Sequence, residues 1–379
     1  MLKETHTEIE KYDWIDALRG YAILMVMMAH SAHPFWGDTP HVGITYSGNY
    51  GVTLFFIASS FTLFNSYSNR LGRDGKNSNR FFFIRRLFRI APMYWIACGF
   101  YIVVGSMYQS IWLSPEPIDV VKVLANVTFI NGLYLPAINY IPPGGWSVGD
   151  EMLFYLTIPA LFLIIKSLKS ALVVLVIAIV CSILAQIVLY YVVINYTSYD
   201  WYTLRDWSLY FWFPNQFPVF CLGILLFFFI GNNDVRYKEW MLVATVGIYL
   251  LLGFVTFDLN FPNNLIQPEY IYGVVLTAFA FFMSKTKLKF IIKPINKLGK
   301  VSFSAYLIHF LVIEVGLWLL TFSPTDINEE LRFALLFTFT VTATYFISKI
   351  TFALIEKQGI AIGERIIQRI PRKPYVPDI

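Results

Sequence analysis

Asp16-Ala17-Leu18-Arg19-Gly20-Tyr21-Ala22-Ile23-Leu24-Met25-Val26-Met27-Met28-Ala29-His30 is the stretch whose reading decides the fold. It is mostly apolar, yet it opens on an acid and a base and closes on an imidazole. Leu, Met and Ala are strong helix formers. With its flanks the run is long enough to cross a bilayer as a helix. Arg19 and His30 are eleven residues apart, about three turns at 3.6 residues per turn, so they share a face roughly 16 Å apart. Ionisable groups inside a membrane helix are costly and are functional candidates by default. The spacing puts Arg19 at one membrane surface and His30 near mid-depth.

The rest of the chain has the same character. Of its 379 residues, 57% are hydrophobic and only 14% charged, where a soluble domain carries about a quarter charged. Ten spans are read, at about 15–36, 50–66, 88–107, 147–165, 170–194, 212–230, 240–257, 268–284, 301–321 and 332–355. With the N-terminus inside, 25 of the 29 basic residues fall on the inner side, chiefly in Arg70 to Arg89, Lys285 to Lys300 and the tail from Lys357. Lys122, Arg205 and Arg332 fall outside, and Lys349 lies within the last span. Such asymmetry sets orientation. The expected protein is all-α, a polytopic integral membrane protein of about ten transmembrane helices with both termini cytoplasmic. Residues 1–13 form a cytoplasmic N-terminal segment, 14–357 the membrane domain and 358–379 a basic cytoplasmic tail. The polar start, with no small-residue cleavage site after the first span, predicts no cleavable signal peptide. The net charge of +5 follows from topology and needs no nucleic-acid partner. Cys98, Cys181 and Cys221 all fall in apolar spans and read as buried small hydrophobes, with neither a disulfide framework nor metal-ligand spacing.

Three more places carry chemistry. The inner loop holds Arg70, Arg73, Lys76, Arg80, Arg85, Arg86 and Arg89, opposed only by Asp74. As far as Arg80 this run reads equally as a topology signal with anionic-lipid contact. Arg86 and Arg89 share a helix face and abut Ile90-Ala91-Pro92-Met93-Tyr94-Trp95. Arginine at the rim of an apolar core suits bidentate contact with phosphate. Further on, Pro142-Pro143-Gly144-Gly145-Trp146-Ser147-Val148-Gly149-Asp150-Glu151 makes a turn that leads straight into a span. The helix dipole stabilises one acid at such an N-terminus. Two acids running into lipid favour a functional Glu151, with Tyr155 on its face and Trp146 at the depth of interfacial aromatics. In span nine, His309 reads equally as a hydrogen-bonded structural histidine and as a site residue. An interfacial helix is expected near 119–133. The loop from Tyr199 to Trp207 mixes aromatics with acids and reads as an interfacial belt rather than a sugar platform.

Five segments, in order, resemble the membrane-bound acyltransferase family type 3, whose members include O-acetyltransferases of bacterial surface polysaccharides. They are Ile15 to Gly20 with ten residues between Arg19 and His30; Gly51 to Phe61; Arg85 to Trp95; Trp146-Ser147 with Glu151, Phe154 and Tyr155; and Leu298 to His309 with Ile355-Glu356-Lys357. Thr53, Ser60, Gly149-Asp150 and Gln358 depart from the usual pattern. The resemblance implies transfer of an acyl group, most often acetyl, from acyl-coenzyme A to a glycan hydroxyl, in a multi-pass protein of the bacterial inner (cytoplasmic) membrane. On that basis Arg19, Arg86 and Arg89 bind acyl-CoA, and His30 is the catalytic base with Glu151 beside it. Asp16, Trp146, Ser147, Tyr155 and His309 give possible support. Acetyl-CoA is the donor substrate, and no metal is required. The expected partners are acyl-CoA, a glycan or lipid-linked glycan such as O-antigen or exopolysaccharide, and the bilayer. Direct transfer and a covalent enzyme intermediate both stay open, as do a succinyl donor and a lipid or small-molecule acceptor. A transporter or flippase of a lipid-linked glycan would also bury Arg, His and Glu, although no inverted repeat is evident.

Overall fold

The computed structural model describes residues 13–35, 42–107, 118–197, 208–230, 237–258, 267–323 and 327–371, and every regular element among them is helical. The loop from Tyr199 to Trp207 lies outside the described residues. The helices are α1 (Asp13–Ala32), α2 (Val42–Ser47), α3 (Gly51–Asp74), α4 (Ser78–Met107), α5 (Val120–Val127), α6 (Gly145–Ile164), α7 (Leu168–Tyr196), α8 (Phe213–Ile230), α9 (Lys238–Asp258), α10 (Pro268–Lys285), α11 (Lys289–Gly299), α12 (Ser302–Leu320), α13 (Glu329–Thr351) and α14 (Lys357–Gln368). Among the described residues, ten of these helices have 18 residues or more, one on each apolar segment read from the sequence. Among the described residues six stretches are long and apolar enough to cross a membrane: Gly43–Gly105, Gly145–Ile164, Leu168–Tyr196, Phe213–Ile230, Ser302–Leu320 and Glu329–Gln368. The chain is a multi-pass helical membrane protein.

Several boundaries differ from the hydropathy reading. α3 and α4 run past their apolar segments, to Asp74 and back to Ser78. Arg, Lys and Asn interrupt hydropathy without breaking a helix. The turn between the two helices is closed by the Asp74–Arg85 ion pair and by Ser78 Oγ donating to the Gly75 carbonyl. The segment near 119–133 holds a shorter helix, α5, capped where Asp119 accepts from the Val121 and Lys122 amides at 2.8 and 3.1 Å. Beyond the last apolar segment the chain stays helical. A π-helical turn, Phe352–Glu356, joins α13 to α14, and α14 packs along α4.

α1 is the central helix. It touches α3, α10, α11, α12 and α13, and Ala17, Leu18, Ala22, Ile23, Val26, Met27 and Ala29 along it are fully buried. A helix with buried apolar residues on several sides belongs in the middle of a bundle. The sequence makes room for it with glycine. Gly299 of α11 lies against the Asp16 carbonyl, and Gly51 of α3 lies against the Ala22 carbonyl, each where a side chain would collide. α3 runs antiparallel to α1, because Gly51 meets Ala22 while Phe61 packs on Trp14.

The same device joins α3 to α8. Gly223 faces Ser60, whose hydroxyl turns back to the Phe56 and Ile57 carbonyls of its own helix at 2.8 and 3.2 Å. A methyl at Gly223 would overlap both Ser60 Oγ and the Ile57 carbonyl. Gly223→Ala should therefore destabilise the detergent-solubilised protein by about 1–3 kcal/mol, the usual cost of overpacking, read as a lowered thermal midpoint. Gly72→Ala, where a methyl meets nothing, should leave that midpoint unchanged or raise it.

Candidate active site

One cavity gathers residues from α1, α3, α4, α6, α12, the α11–α12 junction and the π-helical turn. Its wall includes Arg19, Phe55, Ser59, Thr62, Arg86, Arg89, Ser147, Glu151, Tyr155, Lys300, Ser302, Tyr306 and Glu356. Its empty space, open solvent included, is about 780 Å³. The cavity is elongated. Along α3 it follows the chain from Val52 to Leu63, eleven residues or roughly 16 Å at 1.5 Å per residue. Arg19, Arg86, Arg89, Lys300 and Glu356 line the basic end, and Ser147 and Tyr306 line the other.

Arg19, Arg86, Glu151 and Glu356 each have a local holder. Arg19 Nη2 donates to Thr62 Oγ1 at 3.3 Å, and Nη1 lies 3.9 Å from Asp16 Oδ1. Arg86 Nη2 donates to Ser66 Oγ at 3.4 Å, and its guanidinium stacks over the Phe82 ring at 5.6 Å. Arg86 Nε is buried with no hydrogen-bond partner. Glu151 Oε1 accepts from both Ser59 Oγ and Tyr155 Oη, the latter at 2.7 Å. This carboxylate is within electrostatic reach of Arg19 and Arg86. Glu356, buried on the π-helical turn, accepts from Ser304 Oγ and lies within reach of Arg89. The wall thus presents three guanidinium groups and an ammonium against two carboxylates, a surplus of positive charge suited to a polyanion.

Of the residues singled out from sequence, Arg19, Arg86, Arg89, Ser147, Glu151 and Tyr155 meet on this wall. Asp16 stands behind it, paired with Arg19. Asp150 and Glu151 part company. Glu151 faces the cavity, whereas Asp150 is fully buried beside Gly132. Trp146 is 4% exposed and packs on Phe56, Tyr210 and Phe211, so it is a core residue rather than an interfacial one. Ser59, Thr62, Lys300, Tyr306 and Glu356 carried no role in the sequence reading. Tyr306 was detectable, because it precedes His309 by three residues and so shares its helix face.

His30 and His309 lie off the cavity wall, and they face each other. His30 Nδ1 is 3.0 Å from His309 Nε2, with the rings stacked 22° apart and Phe310 against both. His309 Nδ1 is 2.7 Å from the Tyr306 carbonyl oxygen. A carbonyl only accepts, so this contact requires a proton on His309 Nδ1. In a neutral ring His309 Nε2 is then an acceptor, and His30 Nδ1 must donate to it. His30 Nε2 consequently carries no proton and presents a lone pair, the form a general base requires. The Tyr306 backbone therefore fixes the tautomer of His30 through His309, the orienting role that a third group plays for a catalytic imidazole.

The helical bundle thus holds a cation-lined cavity and, off its wall, a pair of facing imidazoles. A family model described as an acyltransferase domain, of acyltransferase family 3, matches residues 12–349. The chain belongs to that family, and it is a membrane acyltransferase. No curated protein and no solved structure shows a significant match.

The tautomer assignment has a direct test. Nitrogen-15 spectra of histidine-labelled protein at neutral pH should show both His30 and His309 protonated at Nδ1. Replacing His309 with alanine should return His30 to a mixture of tautomers. A His30 protonated at Nε2 in the unaltered protein would refute the relay.

Proposed function

We propose that this acyltransferase moves an acyl group, acetyl in the first instance, from cytoplasmic acyl-coenzyme A to a hydroxyl of a cell-surface glycan such as O-antigen or exopolysaccharide. We place it in the inner membrane of a bacterium, with ten crossings and both termini in the cytoplasm. The observation that carries the reading is the convergence of Arg19, Arg86, Arg89 and Lys300 on one end of one elongated cavity. In this topology that end opens to the cytoplasm, where coenzyme A is found. Its phosphates pair with the guanidinium groups, and arginine serves this better than lysine because its planar fork binds phosphate bidentately. The narrow body of the cavity takes the pantetheine arm, and the thioester arrives near Ser147 and Tyr306. The glycan approaches from the opposite side of the membrane.

A sugar hydroxyl is a weak nucleophile while it keeps its proton. His30 Nε2 removes that proton as the oxygen attacks the acyl carbon. Because His30 lies beyond Tyr306 and off the wall, the reacting carbon belongs between the end of the cavity and the histidine pair. Glu151 offsets the charge of Arg19 and Arg86 beneath the reacting centre. Asp16 and Tyr155 hold the arginines and the carboxylate in place.

Calorimetry with acetyl-CoA on the detergent-solubilised protein tests the donor site. Arg86→Ala and Arg89→Ala should each weaken binding about tenfold or more, as expected from roughly 1.5–3 kcal/mol per charge-assisted hydrogen bond. Unchanged affinity in the double variant would move the phosphate site elsewhere. His30→Ala should bind acetyl-CoA normally and leave the surface glycan unacylated; acylation at the normal level would remove the imidazole from the mechanism.

A further inference from the structure

The far end of the cavity is lined by two hydroxyl groups that share one carbonyl acceptor and each other. The Gly144 carbonyl oxygen is approached by the Ser147 amide at 3.3 Å, by Ser147 Oγ at 3.1 Å and by Tyr306 Oη at 2.9 Å. The two hydroxyl oxygens are themselves 2.9 Å apart. A carbonyl oxygen has two lone pairs, so the amide and Tyr306 Oη fill it while the Ser147 hydroxyl donates to Tyr306 Oη. Because both residues line the cavity, a ligand oxygen there can take the Ser147 hydroxyl proton in exchange for its bond to Tyr306 Oη, or the Tyr306 proton in exchange for its bond to Gly144. The cluster is rigid. Ser147 and Tyr306 are 7% and 6% exposed. Gly144 sits at φ +75°, where a side chain would be strained and would also press on Tyr306 Oη. The Tyr306 ring is held edge-on by Phe55, while its backbone carbonyl carries His309.

We infer that the Ser147 and Tyr306 hydroxyls form the oxyanion site of the acyl transfer, one of them donating to the acyl carbonyl oxygen of the thioester. The inference rests on the acyl-CoA reading given above. In the step it describes, the acceptor hydroxyl oxygen bonds to the acyl carbon while its proton passes to His30 Nε2. The carbonyl π electrons move onto oxygen, which one of the two hydroxyls stabilises by turning its proton onto it. Collapse re-forms the carbonyl, breaks the carbon–sulfur bond, and releases coenzyme A thiolate, which recovers the proton from the imidazolium. A hydrogen-bond donor held beside the developing charge lowers the barrier to its formation. Tyr306 would then act twice, its hydroxyl on the acyl oxygen and its main chain on the base.

The test is isotope-edited infrared spectroscopy of acetyl-CoA carrying carbon-13 at the thioester carbonyl, bound to the full-length protein, alongside calorimetry. In the unaltered protein the carbonyl band should shift to lower frequency than in free acetyl-CoA. Tyr306→Phe keeps the ring and the backbone carbonyl and removes only the hydroxyl. It should move the band back toward the free position with donor affinity within twofold of the unaltered protein. Transfer turnover should fall roughly 10²–10³-fold, the loss seen when one oxyanion donor is removed. Ser147→Ala should act in the same direction, and the double variant should lose less than the product of the two single losses. A bound carbonyl band that neither variant moves would overturn the oxyanion site while leaving the donor site standing. Failure of the unaltered protein to bind acetyl-CoA would overturn the acyl-CoA reading, and this inference with it.

Discussion

Positive charge kept together inside a membrane protein is the constraint on which the rest of the site depends. Arg19, Arg86 and Arg89 lie within electrostatic reach of one another. Two unit charges about 7 Å apart repel by roughly 2 kcal/mol at an effective dielectric of 20, so three arginines do not share a cavity without compensation. The structure distributes that compensation among Asp16 behind Arg19, Glu151 between Arg19 and Arg86, and Glu356 beside Arg89. The carboxylates are held in turn by Ser59, Tyr155 and Ser304. With Lys300 on the same wall, four positive groups stand against these three carboxylates, and one positive charge is left over.

Placing those groups requires helices closer together than most side chains permit. Asp16 and Arg19 come from α1, which reaches its neighbours because glycine stands at the contacts with Asp16 and Ala22. Ser60, a departure from the family pattern, fits this logic. Its hydroxyl is satisfied within its own helix, and Gly223 makes room for it. Thr53, the other departure on α3, is fully buried, and its hydroxyl has no hydrogen-bond partner. Neither hydroxyl faces a charged group of the site.

Much of this was legible in the sequence, and what was missed has physical causes. Long apolar runs and the asymmetry of basic residues are properties of local composition, so the helices and the basic end could be read directly. Arg86 and Glu151 stood out because charge against an apolar run is expensive. The charged ends of α3 and α4 were not legible, because the apolar runs stop near 66 and 88 while helical hydrogen bonding continues to Asp74 and back to Ser78. Asp150 and Glu151 could not be told apart from spacing, since adjacent residues on a helix face differently and only packing decides which side is the cavity. Tyr306 and Ser304 were hidden for another reason. Their roles depend on partners at Gly144, Ser147 and Glu356, which are distant in sequence, and a hydroxyl in an apolar span announces nothing by itself.

The π-helical turn at Phe352–Glu356 has a consequence for the C-terminal helix. A π turn holds one more residue than the α-helical turn it replaces, and each residue of an α-helix advances it by about 100°. The wider turn therefore resets the angular phase of everything after Thr351. With that phase, Glu356 reaches the cavity, and Gly359 and Gly363 fall against Phe88 on the helix that carries Arg86 and Arg89. Two remote parts of the chain are thereby kept in step. The bend that aims a carboxylate at the arginines also seats α14 as a splint along their helix.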